Sequence, residues 1–295
     1  MAMPTGIKSS KSIPVYTDNP ENEMWDFITD FESKQFVQNY IPKRVNTLNY
    51  RKNNTKHELI REKDSDSISI EVSNNAKQAR DFFFMSKQLS LLSKPVMLFY
   101  SFEKLAMMLT SLTFQKDRMD DSQNKRRPRF THGLSFYPES SLHVWSCGLF
   151  PLLHDCVSGD DIIHQKKFSL LFENILHLGP VSHVRLALDT LKGSDSYPIK
   201  DLKSDCSTRI AEIERQFVFM FALSTYSRYR VIEWERILSG EDNLIPKIRR
   251  YLNSVELLFP NLILNQLHNK IISFYSPAKL ATVEVSEYDT PIELL

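Results

Sequence analysis

The chain has 295 residues, with 37 Lys and Arg against 36 Asp and Glu for a net charge of +1, and 42% of it is hydrophobic. Such a chain buries a sizeable core without disulfide or metal staples, in one large domain or two of ordinary size, so collagen-like, disordered and mini-protein classes are excluded. Near-zero net charge removes any whole-molecule attraction to nucleic acid or an anionic membrane, and such a partner has to be argued from a local patch.

Met1 to Pro20 is polar and has no apolar core of a secretory signal or anchor. Cys147, Cys156 and Cys206 are odd in number and widely spaced, which fits a reduced compartment, and a cytoplasmic protein is expected. Glycine is scarce, at 7 residues, and the regular turn punctuation of a many-stranded sandwich or barrel is missing, so helices are favoured.

From Glu21, the residues Met24, Phe27, Ile28 and Phe31 recur at steps of three and four and predict an amphipathic helix. Phe36, Val37 and Tyr40 fall on the opposite side of its ideal continuation. Either the helix kinks near Ser33 or it is buried on both faces. Arg51 to Val72 is charged and then alternates, with Ile68, Ile70 and Val72 apolar, as in a short edge strand. Asn75 to Leu92 and Lys94 to Phe114 read as a helical hairpin, Pro95 sitting in the first turn of the second helix. That second helix contains the most apolar stretch of the chain, Pro95 to Phe114. Glu103 and Lys104 inside it argue for a buried core helix rather than a membrane span, and either line a cleft or, the preferred reading, mark an exposed face.

Gln115 to Arg129 holds one Met and no other large apolar residue and is expected to be a mobile exposed loop. Leu142 to Trp145 predicts a strand ending near Cys147-Gly148. Helices are then expected at Lys167 to Leu178, Pro180 to Leu191 and Ser207 to about Leu238, the last with Ile210, Ile213, Phe217, Met220 and Phe221 on one face. Asn243 with Pro246 is a plausible helix start, Pro260 a stop, and Asn261 to Phe274 a final helix. The expected organisation is a flexible stretch 1–20, a helical lobe 21–192 containing the loop, a second lobe 204–276 after the turn-rich Gly193 to Lys203, and a tail 277–295. The fold class is mainly α with a small β element.

For chemistry, the sequence lacks a phosphate-binding loop, G-x-G-x-x-G, H-E-x-x-H, Cys-x-x-Cys and G-x-S-x-G, so no cofactor and no metal site is expected. What remains is KRRPRFTHGLSF, Lys125 to Phe136. There His132 could accept a ribose 2′-hydroxyl proton and Arg127 could stabilise charge on the attacked phosphate, with Lys125, Arg126 and Arg129 as further RNA contacts. The same spacing also describes a solvated basic loop with a turn at His132-Gly133. His154, next to Asp155, does not face it on a helix and is read as structural or surface. His177 and His183 are left unassigned. In STYSRYRVIEWER, the residues Tyr226, Tyr229, Arg230 and Trp234 mix aromatic and guanidinium groups that could stack bases, although a protein interface is the favoured reading.

Taken in order, SKPVMLFYSFEKLAMML (Ser93 to Leu109), FTHGLSF (Phe130 to Phe136) and HVWSCGLFPLL (His143 to Leu153) resemble the ordered blocks of the YaaC-like family, with SRYRVIEW and FPNLILNQL fitting its C-terminal helices. The resemblance implies a helical cytoplasmic protein and supplies no mechanism. A broader likeness is to the HEPN superfamily, in which an aromatic-rich helix, here Tyr100 to Leu109, precedes an Arg-x4-6-His segment, here Arg127 or Arg126 to His132. That likeness implies an RNA-binding or metal-independent RNA-cleaving effector, of toxin or anti-phage type, with its site assembled across a homodimer. The alternative expectation is a non-catalytic interaction subunit that docks a partner protein. No membrane partner is expected.

Overall fold

The computed structural model describes residues 13–49, 60–114, 131–137, 141–144, 148–157, 167–169, 211–240 and 245–275. The fold is mainly helical, as the composition implied, with two small sheets. Strand β1 (Ile13–Tyr16) precedes α1 (Pro20–Thr29), which Asn19 caps by accepting from the Asn22 N–H at 3.2 Å. A single 3-10 turn, Asp30–Glu32, leads to Ser33, whose extended backbone (φ −84°, ψ 117°) breaks the helix before α2 (Lys34–Asn49). Of the two readings of this stretch, the structure takes the break at Ser33. It lets Phe31, Val37 and Ile41 all reach the core from what would otherwise be different faces.

The hairpin is present as α3 (Ser65–Lys87) and α4 (Lys94–Ser111). α3 starts earlier than expected and absorbs the supposed edge strand. Ile68 and Val72, four apart, are buried on one helical face, while Ile70 is half exposed on the other. A five-residue alternation satisfies both periods, and packing against α4 decided between them. The two helices approach closely through Ala76, Ala79 and Ser101, and the Ser101 hydroxyl donates to the Ala79 carbonyl at 2.8 Å.

Antiparallel strands β2 (Leu134–Tyr137), β3 (Ser141–Val144) and β4 (Lys167–Ser169) form one sheet in the order β2-β3-β4, with Leu142 opposite both Phe136 and Phe168. β3 is the strand expected near Leu142. β4 corrects the helix expected from Lys167: cross-strand backbone hydrogen bonding, invisible in local periodicity, holds these residues extended. Helix α5 (Leu149–Val157) follows β3 in the chain.

The long C-terminal run divides into α6 (Glu212–Tyr229) and α7 (Val231–Leu238), parted where Arg230 leaves helical geometry (φ −122°, ψ 50°). α6 is buried on all sides from Glu212 to Thr225, not on one face as expected, and it runs through the middle of the molecule. Phe217 meets Phe99 of α4 and Phe150 of α5. α8 (Ile245–His268) continues through Pro260, correcting the stop expected there. Losing the Pro260 N–H costs about 3 kcal/mol. Burial of Leu258, Phe259, Ile263, Leu264 and Leu267 gives about 1.5–3 kcal/mol each, and Phe259 stacks on Phe102 at 4.2 Å, so continuation wins. The last helix therefore ends at His268, and Ile272–Tyr275 is strand β5, paired in parallel with β1 in the register Ile13 to Ile272.

A single core cluster draws residues from α1 to α8 and from β2 and β5, so α1–α5 and α6–α8 share one core among the described residues. Arg44 of α2, 2% exposed, ties two helix ends together. Its guanidinium donates to the Leu112 carbonyl and Thr113 hydroxyl at the end of α4, and to the Gln266 and Leu267 carbonyls at the end of α8. Those carbonyls lack intrahelical donors and sit at the negative ends of two helix dipoles, so one buried cation satisfies both. Lys125, Arg126, Arg127 and Arg129, the expected loop, and the stretches 170–203 and 276–295 lie outside the described residues.

Candidate active site

α4 is apolar enough to bury Leu98, Phe99, Phe102, Leu105 and Ala106, and its remaining stripe is half exposed at Tyr100, Glu103 and Lys104. Alongside that stripe the chain enters β2 through a bend at Thr131, His132 and Gly133. His132 thus lies just before a strand and not on a helix.

The bend is held by α5. The N–H groups of Leu149 and Phe150, in its first turn, donate to the carbonyls of Thr131 (2.9 Å) and His132 (3.0 Å), which use donors the helix cannot satisfy itself. The approach is close enough to require glycine at 148. Gly133 has φ 74° and Gly148 φ 122°, and a Cβ on Gly148 would stand 2.4 Å from Gly133 N and Cα. Gly133-Gly148 packing therefore fixes the backbone that carries the imidazole.

The ring of His132 rests against Phe99 (5.3 Å between centroids) and Phe221 (5.5 Å), and its side chain stays 30% exposed. Its Nδ1 lies 2.8 Å from Oε1 of Glu103, whose side chain is 18% exposed. The approach is out of line for a hydrogen bond, and Nδ1 is shielded from solvent, so Glu103 is the polar group that faces it. With Nδ1 facing Glu103, Nε2 is the nitrogen left to a substrate. A carboxylate facing one imidazole nitrogen fixes which way the ring presents the other.

The structure brings Glu103 to His132, a pairing the sequence does not announce. Of the two expectations for Glu103, it fits the cleft and not the preferred exposed face. It is half buried and aimed at a histidine 29 positions on, and the signal was there: a carboxylate inside the most apolar helix needs a reason. His154 does take the structural role expected. Buried with Glu214, it places Nδ1 2.6 Å from Oε1 of that residue, and Glu214 Oε2 accepts from the Ala211 N–H, so the pair locks α5 onto the start of α6. Nearby, burial raises the Glu212 carboxyl above its ordinary pKa against the opposing pull of Arg215 and Gln216. Burial, reinforced by Glu212, pushes the Tyr251 phenol up still further.

The four residues expected at an interface are split. Trp234 is fully buried and its indole donates to the Leu92 carbonyl at 3.3 Å, which corrects its placement from surface to core. Tyr226 is half buried against the core, Arg230 pairs with Glu233 at 3.3 Å, and Tyr229 alone is wide open at 71%. The sequence pattern could not tell these apart because the break at Arg230 changes which face each residue shows. Among the described residues no group of His, Cys, Asp and Glu is arranged to hold a metal ion, and no helix is long and apolar enough to cross a membrane.

The family model described as YaaC-like Protein matches residues 109–267, more than half of the chain. The chain belongs to the YaaC-like family. The match takes in β2, β3 and the Gly133-Gly148 contact, together with α5, α6, α7 and nearly all of α8, and it leaves Glu103 just outside. The family description names no activity. The chain matches none of the curated proteins or solved structures compared with it.

Proposed function

We propose that this YaaC-like protein is an RNA-binding, RNA-cleaving effector of the cytoplasm, of toxin or anti-phage type, whose chemistry runs through side chains. The observation that carries the reading is the 2.8 Å approach of His132 Nδ1 to Glu103 on an aromatic platform that leaves the ring partly open. In this mechanism, neutral His132 takes the 2′-hydroxyl proton on Nε2 while the 2′-oxygen attacks the adjacent phosphorus. The bond to the 5′-oxygen breaks and that oxygen leaves with a proton from solvent, giving a 2′,3′-cyclic phosphate. Glu103 holds the ring and offsets the imidazolium charge. Arg127 is assigned to the phosphorane charge, and Lys125, Arg126 and Arg129 to holding the strand.

The test is incubation of the full chain with total RNA in EDTA, with the new ends mapped. Cleavage leaving cyclic phosphate that is lost in His132→Ala and reduced at least tenfold in Glu103→Gln is the expected outcome. Cleavage that survives His132→Ala refutes the assignment.

A second reading, a non-catalytic subunit that pairs with itself or with a partner protein, is supported by the exposed run Tyr229, Val231 and Ile232, at 71%, 51% and 82%. It expects a dimer in light scattering that Ile232→Asp dissociates. A wild-type monomer at every accessible concentration that also brings down no partner from its native cell refutes it.

A further inference from the structure

Arg228 is a half-buried arginine whose surroundings the fold does not explain. Arg80, Arg215 and Arg230 pair with Glu32, Glu212 and Glu233, and Arg44 is sealed between two helix ends. Arg228 is half buried, and its three hydrogen bonds go to neutral acceptors: the Ser224 carbonyl (3.2 Å), the Ser224 hydroxyl (3.3 Å) and the Tyr100 hydroxyl (3.0 Å). Among the described residues it has no carboxylate within ion-pair distance. Its guanidinium carbon lies 5.5 Å from the centre of the Tyr100 ring and 5.0 Å from that of Tyr229. A guanidinium has five N–H groups, so two remain. The Tyr100 hydroxyl, used here as an acceptor, keeps its own proton to donate.

This cluster shares a seam with His132. On α6, Phe221, which touches the imidazole, Ser224 and Arg228 follow at helical spacing along one face. On α4, Tyr100 stands one turn before Glu103. Seven residues of helix separate Phe221 from Arg228, about 10 Å along the axis, a span of one or two nucleotides. A partly desolvated cation with spare donors, set in neutral surroundings beside an exposed ring, fits an anion attached to a flat group.

We propose that Arg228 and Tyr100 bind a phosphate of a single-stranded RNA and that Tyr229 stacks the neighbouring base, forming a subsite that holds the strand across His132. The inference rests on the RNA reading above and adds the strand's path to it. The exposed tyrosine is then a stacking platform, which tolerates any base, so the subsite supplies affinity and register rather than sequence choice.

The test measures binding of a fluorescein-labelled oligouridylate of about twelve nucleotides by fluorescence anisotropy, in the His132→Ala chain so that the strand stays intact. Arg228→Gln keeps neutral hydrogen bonding to its neighbours and removes the charge. It is expected to weaken binding about tenfold and to lower the slope of log K against log salt by about one phosphate. Tyr229→Ala, at a site outside the core, is expected to weaken binding about tenfold, and Tyr229→Phe, which keeps the ring against Arg228, to restore it. Should Arg228→Gln fail to fold, the two Tyr229 variants decide. Absence of binding by the parent chain, or binding and salt slope unchanged in both Arg228→Gln and Tyr229→Ala, overturns the subsite. So does a Tyr229→Ala effect on oligomer mass alone, which would give this face to a protein contact. Cleavage by the wild-type chain is scored separately. A chain that binds through Arg228 and Tyr229 without cutting keeps the subsite and loses the base, and one that cuts with binding indifferent to both residues does the reverse.

Discussion

Replacing Gly148 by alanine tests whether the Gly133-Gly148 contact holds the His132 bend. Two costs apply. Alanine at φ 122° occupies backbone space that is nearly glycine's alone, about 1–3 kcal/mol, offset by about 0.4–1 kcal/mol from a less flexible unfolded chain. In addition, its Cβ would stand 2.4 Å from Gly133 N and Cα and 2.8 Å from the Thr131 hydroxyl oxygen. Backbone atoms cannot swing aside as a side-chain tip can, so the bend and α5 must part. The Leu149-to-Thr131 and Phe150-to-His132 hydrogen bonds then weaken, at about 0.5–1.5 kcal/mol each. Gly240→Ala is the control. It too has a left-handed backbone (φ 91°), but among the described residues its Cβ would meet nothing closer than Ile245 Cδ1 at 4.0 Å, so it bears the backbone cost alone. Urea denaturation of the full chain should show about 1–2 kcal/mol lost in Gly240→Ala and about 3–5 kcal/mol in Gly148→Ala. Equal losses in the two variants would refute the close-contact argument and, with it, the claim that glycine at 148 positions the imidazole.

Arg44→Met keeps much of the stem and removes the cation that caps α4 and α8, taking the donor from the Leu112 and Gln266 carbonyls while Leu267 keeps the Tyr40 hydroxyl. A loss of about 3–5 kcal/mol is expected in denaturant titration, and a loss under 1 kcal/mol would show that water replaces the guanidinium without cost. His268, at the end of α8, has its pKa held below the ordinary 6.5 by burial first and by Lys270 and Arg44 next, against the weaker opposing pull of Asp30. A helix C-terminus favours a charged imidazole, but here desolvation prevails. Because the unfolded chain takes up this proton more readily, the folded state loses stability as pH falls below about 6.5 and until the folded group itself protonates. The denaturation midpoint of wild type should therefore drop between about pH 7 and 5 more steeply than that of His268→Gln. Parallel pH profiles would show that the buried imidazole does not couple to folding.

Much of the helical content was legible in the sequence because an amphipathic stripe is a local property. Met24 to Phe31, Lys94 to Ser111 and the run through Phe217 carry their apolar residues at helical spacing, and each is helical in the structure. Composition likewise fixed the class: few glycines and no turn rhythm leave little room for a large sheet. His132 stood out in the sequence because an imidazole follows a cluster of guanidinium groups, a pattern that a solvated basic loop shares. What tertiary structure decided is what no local window contains. Ile68 to Val72 satisfied two periods, and the face offered by α4 selected the helix. Lys167 to Ser169 is a strand because β3 supplies its hydrogen bonds, and Pro260 lies within a helix because the burial around it outweighs one missing N–H. Trp234 looked like a surface anchor until the break at Arg230 turned it inward. Glu103 and His132, 29 residues apart, meet where α5 pins the bend beside α4, an approach that glycine at 148 permits. Periodicity and composition act within a few turns of chain. The meeting of two distant side chains depends on how closely their backbones can approach, which only the packed molecule determines.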